Sequence, residues 1–497
     1  MNPETFSAAL GLALDPMGLL IMLAATFVGM VVGALPGLGT VTALAMVLPF
    51  TFVLSPAYAI GMLLAIYVSS VFGGAIPAVL INVPGTPQSA ATSFEGYPMA
   101  QRGDAPSALG WVTVSSALGG IFSATVLIFA APQLASLALE FGVVETFALI
   151  LFSLTTIAWV SAGNPVKGLL AGIIGLTFST VGIDEMSGTA RYTFGNFAMT
   201  AGFHVVPILI GLFALSEVFV SAGKGASKSI QEVAKAGFKV APFSEWWALK
   251  LTAIRSAAIG TFLGILPGVG ATAASLIAYA QARAGSRNQH NFGKGEPEGL
   301  LASESANNAV TGGALVPTLA LGIPGDAATA VMLGALIIHG ITPGVELFTR
   351  NGELVTFIFI ALFIVNIMML LVGAFTSQLF TRILKLPHAL IMGAVVALAL
   401  AGSYVIRASI LDVWVAVIAG FVGLLLRYCN VPLAPIVIGF ILGPTLESSL
   451  RQSLILTKSQ PLQFFNSPIA SFFFALTVIV VLWPWLSRRF RGKKVDQ

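Results

Sequence analysis

Apolar stretches such as 204–221, 354–375 and 467–487 each run for about the roughly 20 residues that cross a bilayer as a helix. They do not alternate polar with apolar residues, as the strands of a membrane barrel do. Of the 497 residues only 9% are charged, against about 25% in soluble domains. So few charges cannot coat a water-soluble fold of this size. The expected fold class is therefore an all-α polytopic membrane protein, with roughly 11–12 spans.

The net charge of +4 bears on topology rather than on nucleic acid, because the basic residues lie between apolar runs. Lys224, Lys228, Lys235, Lys239 and Lys250 fall in the longest charged interruption, 223–250, with Arg255 close behind. The positive-inside bias makes this linker cytoplasmic, and likewise the tail Arg488, Arg489, Arg491, Lys493 and Lys494. Trp483 and Trp485 would then sit at the interface. No Lys or Arg precedes Arg102, so a secretory signal with its basic n-region is not expected. The single Cys429 excludes an internal disulfide and a cysteine-rich metal site. The chain divides into a first transmembrane repeat (1–222), the basic linker (223–250), a second repeat (251–445) and a C-terminal span with its basic tail (446–497).

Two motifs support that division. G-x-L-P-G-x-G occurs at 33 and at 264, 231 residues apart, and P-x6-P-G occurs at 77 and at 317, 240 residues apart. Two ordered matches at similar offsets indicate internal duplication. Each motif interrupts an apolar run. Proline removes a backbone donor and clashes with the preceding turn; glycine lets the chain bend. A stopped helix leaves N–H and C=O groups unsatisfied, tolerable at bilayer depth only against protein or a water-filled cavity. Such interruptions at corresponding places in two halves point to a transporter site built from broken helices. The first half starts on an acidic side and the second at the basic linker, so the halves are expected to be inverted.

The candidate substrate- and ion-binding residues follow from the breaks. In the first half they are Pro36, Gly37, Gly39, Thr40, Thr42, Asn82, Pro84, Gly85, Thr86 and Ser89, with Gln88, Thr92 and Ser93 nearby. In the second they are Pro267, Gly268, Gly270, Thr272, Asn307, Asn308, Pro324, Gly325, Asp326 and Thr329, with Ser275, Glu304 and Thr311 nearby. Glu304, Asn307, Asn308 and Thr311 share one helical face, and a polar stripe entering an apolar span must face the protein interior. For any single Ser or Thr, helix–helix hydrogen bonding is the simpler role. No Lys or Arg lies inside the motifs, so an anionic solute would meet helix N-termini, backbone N–H groups and hydroxyls. Carbonyls at the breaks together with Asp326 suit Na⁺ or proton exchange.

Enzyme chemistry is not expected. The four histidines form no H-E-x-x-H, and neither Gly223-Lys224-Gly225 nor Gly293-Lys294-Gly295 has the spacing of a phosphate-binding loop. Transport would then draw on an ion gradient, with no organic cofactor.

Gly33-Ala34-Leu35-Pro36-Gly37-Leu38-Gly39, the 73–93 stretch followed by Phe94-Glu95-Gly96-Tyr97-Pro98, and Gly322-Ile323-Pro324-Gly325 resemble the large membrane subunit of tripartite tricarboxylate transporters. The resemblance covers nearly the whole chain. It implies a multi-pass permease in the bacterial inner membrane. The implied partners are a small membrane subunit of about four helices and a periplasmic solute-binding protein that delivers citrate or another carboxylate. It implies uptake coupled to Na⁺ or H⁺. The carried-over positions are Pro36, Gly37 and Gly39; Pro84, Gly85 and Thr86; Pro267, Gly268 and Gly270; and Pro324, Gly325 and Asp326. The alternatives are an autonomous carrier for small organic anions, a channel, or an intramembrane enzyme, and the last lacks a nucleophile–base pair or metal set.

Overall fold

The computed structural model describes residues 3–160, 165–184, 186–223, 237–384 and 386–491. Lys224, Lys228 and Lys235 of the linker, and Lys493 and Lys494 of the tail, lie outside the described residues.

The chain opens with α1 (Pro3–Ala13), α2 (Pro16–Ala34) and α3 (Thr40–Val47). α4 (Pro56–Gly73) leads directly into the short α5 (Ala75–Ile81), followed by α6 (Ala90–Gln101) and the long α7 (Ala105–Ala138). Next come α8 (Val143–Val160), α9 (Pro165–Ser179) and two paired short strands, β1 (Gly182–Ile183) and β2 (Ala190–Arg191). A π-helical segment, Ile210–Leu215, joins α10 (Val205–Leu209) to α11 (Ser216–Gly223). The second half runs through α12 (Phe243–Ala248), α13 (Lys250–Ile265), α14 (Gly270–Gly285), α15 (Pro297–Leu321), α16 (Ala327–Ile338), α17 (Val345–Arg350) and α18 (Gly352–Ile383). It closes with α19 (His388–Val405), α20 (Ile410–Tyr428), α21 (Ala434–Leu456) and α22 (Pro468–Arg491).

This is an all-α polytopic membrane protein. Among the described residues six helices are long and apolar enough to cross a membrane: Pro16–Ala34, Pro56–Ile81, Ala105–Ala138, Val205–Gly223, Gly352–Ile383 and Ile410–Tyr428. Shorter apolar helices such as Ala327–Ile338 owe their length to the breaks beside them. α15 is long but polar along one face, and it is buried from Glu298 to Ala320. A helix enclosed on all sides belongs to the interior.

Contacts group the chain into two discontinuous units, Met1–Ala135 with Val206–Leu424, and Ser136–Val205 with Leu425–Gln497. This grouping cuts elsewhere than the linear division at 222, 250 and 445.

The larger unit holds residues 1–135 of the first repeat and 251–424 of the second, and these parts pack alike. α2 lies along α4, with Gly18 against Tyr58, Gly61 against Met22 and Gly33 against Ser70. The two helices therefore run the same way. α13 lies along α15, with Gly260 against Ala306 and Gly264 against Val310. A Cβ at Gly33 would overlap the Ser70 carbonyl, and one at Gly73 would overlap the carbonyl of Met30. The equivalent Gly313 stands against the carbonyl of Thr261, 231 residues beyond Met30. The interhelical contacts thus repeat with the same offsets as the motifs.

After each broken helix the chain crosses to the other repeat. α7 packs on α15 through Gly119 against Ser305 and Gly312 against Ser123. α18 packs on α4 through Phe357 against Gly61 and Gly373 against Phe72. α7 and α18 meet each other at Gly120 with Asn366 and at Thr113 with Gly373. As one number rises the other falls, so these corresponding helices run in opposite directions. That is the relation an inverted repeat requires.

The smaller unit packs α8 and α9 against α21, and α22 against α8. Glycines allow the close approach: Gly175 abuts the Ile436 carbonyl, and Gly439 abuts Gly172. The β1–β2 hairpin is tied down by Arg191, which donates to Glu447 Oε1 at 2.8 Å, and by Arg451, which donates to Asp184 Oδ2 at 2.8 Å.

Candidate functional site

The two P-x6-P-G copies build the same turn. α5 ends at Asn82 (φ 57°) and α15 at Gly322 (φ 68°), both left-handed. Glycine and asparagine are the residues that tolerate this conformation at a helix end. The next N–H groups, of Val83 and Ile323, both return to a proline carbonyl, at 3.4 Å to Pro77 and 3.3 Å to Pro317. Gly85 then presses on Gly74 as Gly325 presses on Ala314. Each break ends in a helix N-terminus, Thr86 in the first half and Asp326 in the second.

The two N-termini are closed differently. Asp326 Oδ1 accepts from the Thr329 N–H at 2.8 Å, and Thr329 Oγ1 accepts from the Asp326 N–H at 2.9 Å, a capping box. Asp326 Oδ2 accepts from Tyr67 Oη at 2.8 Å. The carboxylate is therefore occupied by its own helix and by α4. In the first half Thr86 Oγ1 and Ser89 Oγ lie 3.1 Å apart, with neither bonded to the N-terminal N–H groups. A carboxyl group already caps one helix end, and only hydroxyls stand at the other.

The G-x-L-P-G-x-G breaks join these. The Gly268 N–H donates to the Gly325 carbonyl at 2.8 Å, linking the two second-half motifs. Gly85 abuts the carbonyl of Gly33, linking the first-half pair. Within the first half Gln88 Nε2 donates to Thr40 Oγ1 at 3.2 Å, and Ser275 Oγ of the second half donates to the Gln88 carbonyl at 2.9 Å, which connects the halves. Thr42 Oγ1 donates to the Phe213 carbonyl of the π-helical segment at 3.4 Å. Such segments interrupt the regular ladder and often mark functional places. Pro36, Gly37, Gly39, Pro84, Pro267, Gly270, Pro324 and Thr272 line the breaks without side-chain hydrogen bonds of their own. Asn82 is exposed and serves as a helix cap.

Asn307 and Asn308 lie elsewhere. Fourteen residues separate Asn307 from the end of α15 at Leu321, about 20 Å along a helix axis. There Glu304, fully buried, accepts from Thr92 Oγ1 of α6 and from Ser116 Oγ of α7, the latter at 2.8 Å. Asn307 is turned to the same carboxyl, yet neither its Oδ1 nor its Nδ2 completes a hydrogen bond. The stripe is thus a second polar place beside the breaks, reached by α6 from the first half.

Sequence reasoning missed Tyr67, Ser116, Glu95 and Tyr279. Tyr67 was legible, since it lies 240 residues before Asn307, the offset of the second motif. Ser116 sits among small residues of an apolar run, and only its neighbour reveals it. Glu95 is fully buried and accepts from Tyr279 Oη at 2.7 Å and from the N–H groups of Gly295 and Glu296 at 2.7 and 2.8 Å. It pins the loop before α15 onto α6.

A family model described as "Tripartite tricarboxylate transporter TctA family" matches residues 19–438. A protein of Agrobacterium vitis, described as an uncharacterized 52.8 kDa protein in the TAR-I ttuC' 3′ region, is 34% identical over 482 residues, covering 95% of this chain and 94% of the relative. A second Agrobacterium vitis protein, from the TAR-II ttuC' 3′ region, is 34% identical over 223 residues, 45% of this chain and 92% of the relative. No solved structure matches the chain.

Proposed function

Since the chain belongs to the tripartite tricarboxylate transporter TctA family, we propose that it is the permease subunit of a binding-protein-dependent importer of a di- or tricarboxylate such as citrate. Its multi-pass membrane character follows from the fold, and the setting proposed is the bacterial inner membrane. Uptake is driven by a Na⁺ or H⁺ gradient. The partners are a small four-helix membrane subunit and a periplasmic solute-binding protein.

The observation that carries this reading is the unequal capping of the two broken helices. The second-half N-terminus is filled by Asp326, whose Oδ1 already takes the Thr329 N–H that a solute carboxylate would need. The first-half N-terminus offers the Thr86 and Ser89 hydroxyls, with no acidic side chain of its own. Helix N-termini favour negative charge. The carboxylate is therefore assigned to the first break.

The test is uptake into vesicles containing the chain with its co-encoded partners, across a panel of di- and tricarboxylates under imposed Na⁺ or proton gradients. Uptake of one carboxylate that requires both the binding protein and a gradient is expected. Uptake by the chain alone, unaffected by any binding protein, would support the autonomous carrier instead.

A further inference from the structure

We propose that Glu304, with Thr92, Ser116 and Asn307, forms the site at which the coupling cation, Na⁺, binds. This rests on the reading of the chain as an ion-coupled permease, and it names where the ion goes.

The Glu304 carboxyl is enclosed by α6, α7 and α15, and no Lys or Arg is paired with it among the described residues. Its hydrogen bonds come from two neutral hydroxyls. A carboxylate in such surroundings is costly unless a positive charge answers it. The Asn307 amide, fully buried and turned to the same carboxyl, has both polar atoms without partners. Ser115 Oγ, beside Ser116, is also unpartnered, and so is Asn308 Oδ1, one turn along from Glu304. Buried polar atoms of this kind are normally satisfied.

The chemistry of the set selects the ligand. Its acceptors are oxygens of a carboxylate, two hydroxyls and an amide, the donors that hard cations take. A proton on Glu304 removes the charge and supplies a single O–H donor, fewer than the unpartnered oxygens of Asn307, Asn308 and Ser115 require. A metal cation answers the charge and the orphaned oxygen together, while the two hydroxyls keep their hydrogens on the carboxylate and turn a lone pair to the ion.

Asp326 is the rival place, and it is already committed. Its two oxygens hold the α16 cap and Tyr67. The repeat also separates the two. Counting back 240 residues, Glu304 corresponds to Leu64 and Asn307 to Tyr67, so the first repeat has no equivalent set. The site takes one cation per chain. Because Thr92 lies on α6, the helix entered through the first break, the cation draws that helix towards α15 and so couples to the carboxylate's end of α6.

The experiment titrates NaCl against choline chloride, at constant ionic strength and pH, into the purified full-length chain in lipid nanodiscs. Tryptophan fluorescence and the melting temperature are read together; Trp111, on α7 one turn before Ser115, is the reporter on the helix that carries Ser116. The wild-type chain should show a saturable Na⁺-specific response with a stoichiometry near one. Glu304→Gln, a neutral isostere, should abolish the response while melting no lower than wild type without Na⁺. Asn307→Ala and Thr92→Val should each raise the half-saturating Na⁺ concentration at least ~10-fold, which is about 1.4 kcal/mol of binding. A response kept in Glu304→Gln, a response lost in Asp326→Asn but kept in Glu304→Gln, or no Na⁺ response in the wild type overturns the proposal. Carboxylate uptake plays no part in this readout, so absence of transport would count against the functional reading alone.

Discussion

At the scale of single residues, the two broken helices differ in one position that decides their roles. Replacing Thr86 with Val removes the hydrogen bond between its hydroxyl and Ser89 and costs stability of only about 1 kcal/mol. Carboxylate uptake should nevertheless fall ~10-fold or more if that cap meets the solute, as uptake assays in vesicles would show. Glu95 makes the opposite case. Glu95→Ala orphans four donors, the Tyr279 hydroxyl and the N–H groups of Gly293, Gly295 and Glu296, and at roughly 1–3 kcal/mol each it should destabilise by about 4 kcal/mol or more, measured by denaturant or thermal unfolding in detergent. The motif Phe94-Glu95-Gly96-Tyr97-Pro98 drew notice in the sequence, but its purpose could not be read there, because the donors that Glu95 serves lie some 200 residues downstream. Asp326 was legible as special for the reason that makes it structural: an acidic residue directly after Pro-Gly is an ideal helix cap.

At the scale of helices, the repeat was legible because glycine and proline carry backbone information that no other residue can replace. The offsets of 231 and 240 recur as pairs of helix contacts, so the duplication seen in the letters is one of packing. Gly33→Ala and Gly264→Ala should therefore behave alike, each destabilising by about 1–3 kcal/mol through forced separation of parallel helices. Gly172→Ala, where a Cβ meets nothing within 4 Å, should be neutral or stabilise by up to ~1 kcal/mol through helix propensity. Unfolding of the three variants side by side checks this. What the sequence concealed was the exchange by which α7 lies on α15 and α18 on α4. Apolar runs without charges look alike, and nothing in their composition names a partner. The π-helical segment at Ile210–Leu215 was equally hidden, since an extra residue per turn leaves no compositional trace.

At the scale of the whole molecule, the smaller unit depends on the ion-pair cluster at its hairpin. The Ser187 hydroxyl, with Arg451 and Arg191 beside it, holds the Asp184 carboxyl well below the usual carboxylate range. A depressed value means that the fold favours the charged form. The cluster thus stabilises at neutral pH, and its contribution fades as pH falls below the unfolded-chain value of about 3.9. Asp184→Asn should lower the melting temperature at neutral pH and converge with wild type in acid. For the membrane-embedded halves, cysteine accessibility should place Ser7 and Ser244 on opposite faces; labelling from one face would refute the inversion. The opposed directions of α7 and α18 carry one more consequence, which concerns parity. Corresponding helices can point oppositely only if an even number of membrane crossings lies between them. The stretch between the repeats can therefore gain or lose crossings only two at a time, as complete hairpins. A single extra crossing would turn the second half over and place both Pro-Gly breaks of each kind on the same side.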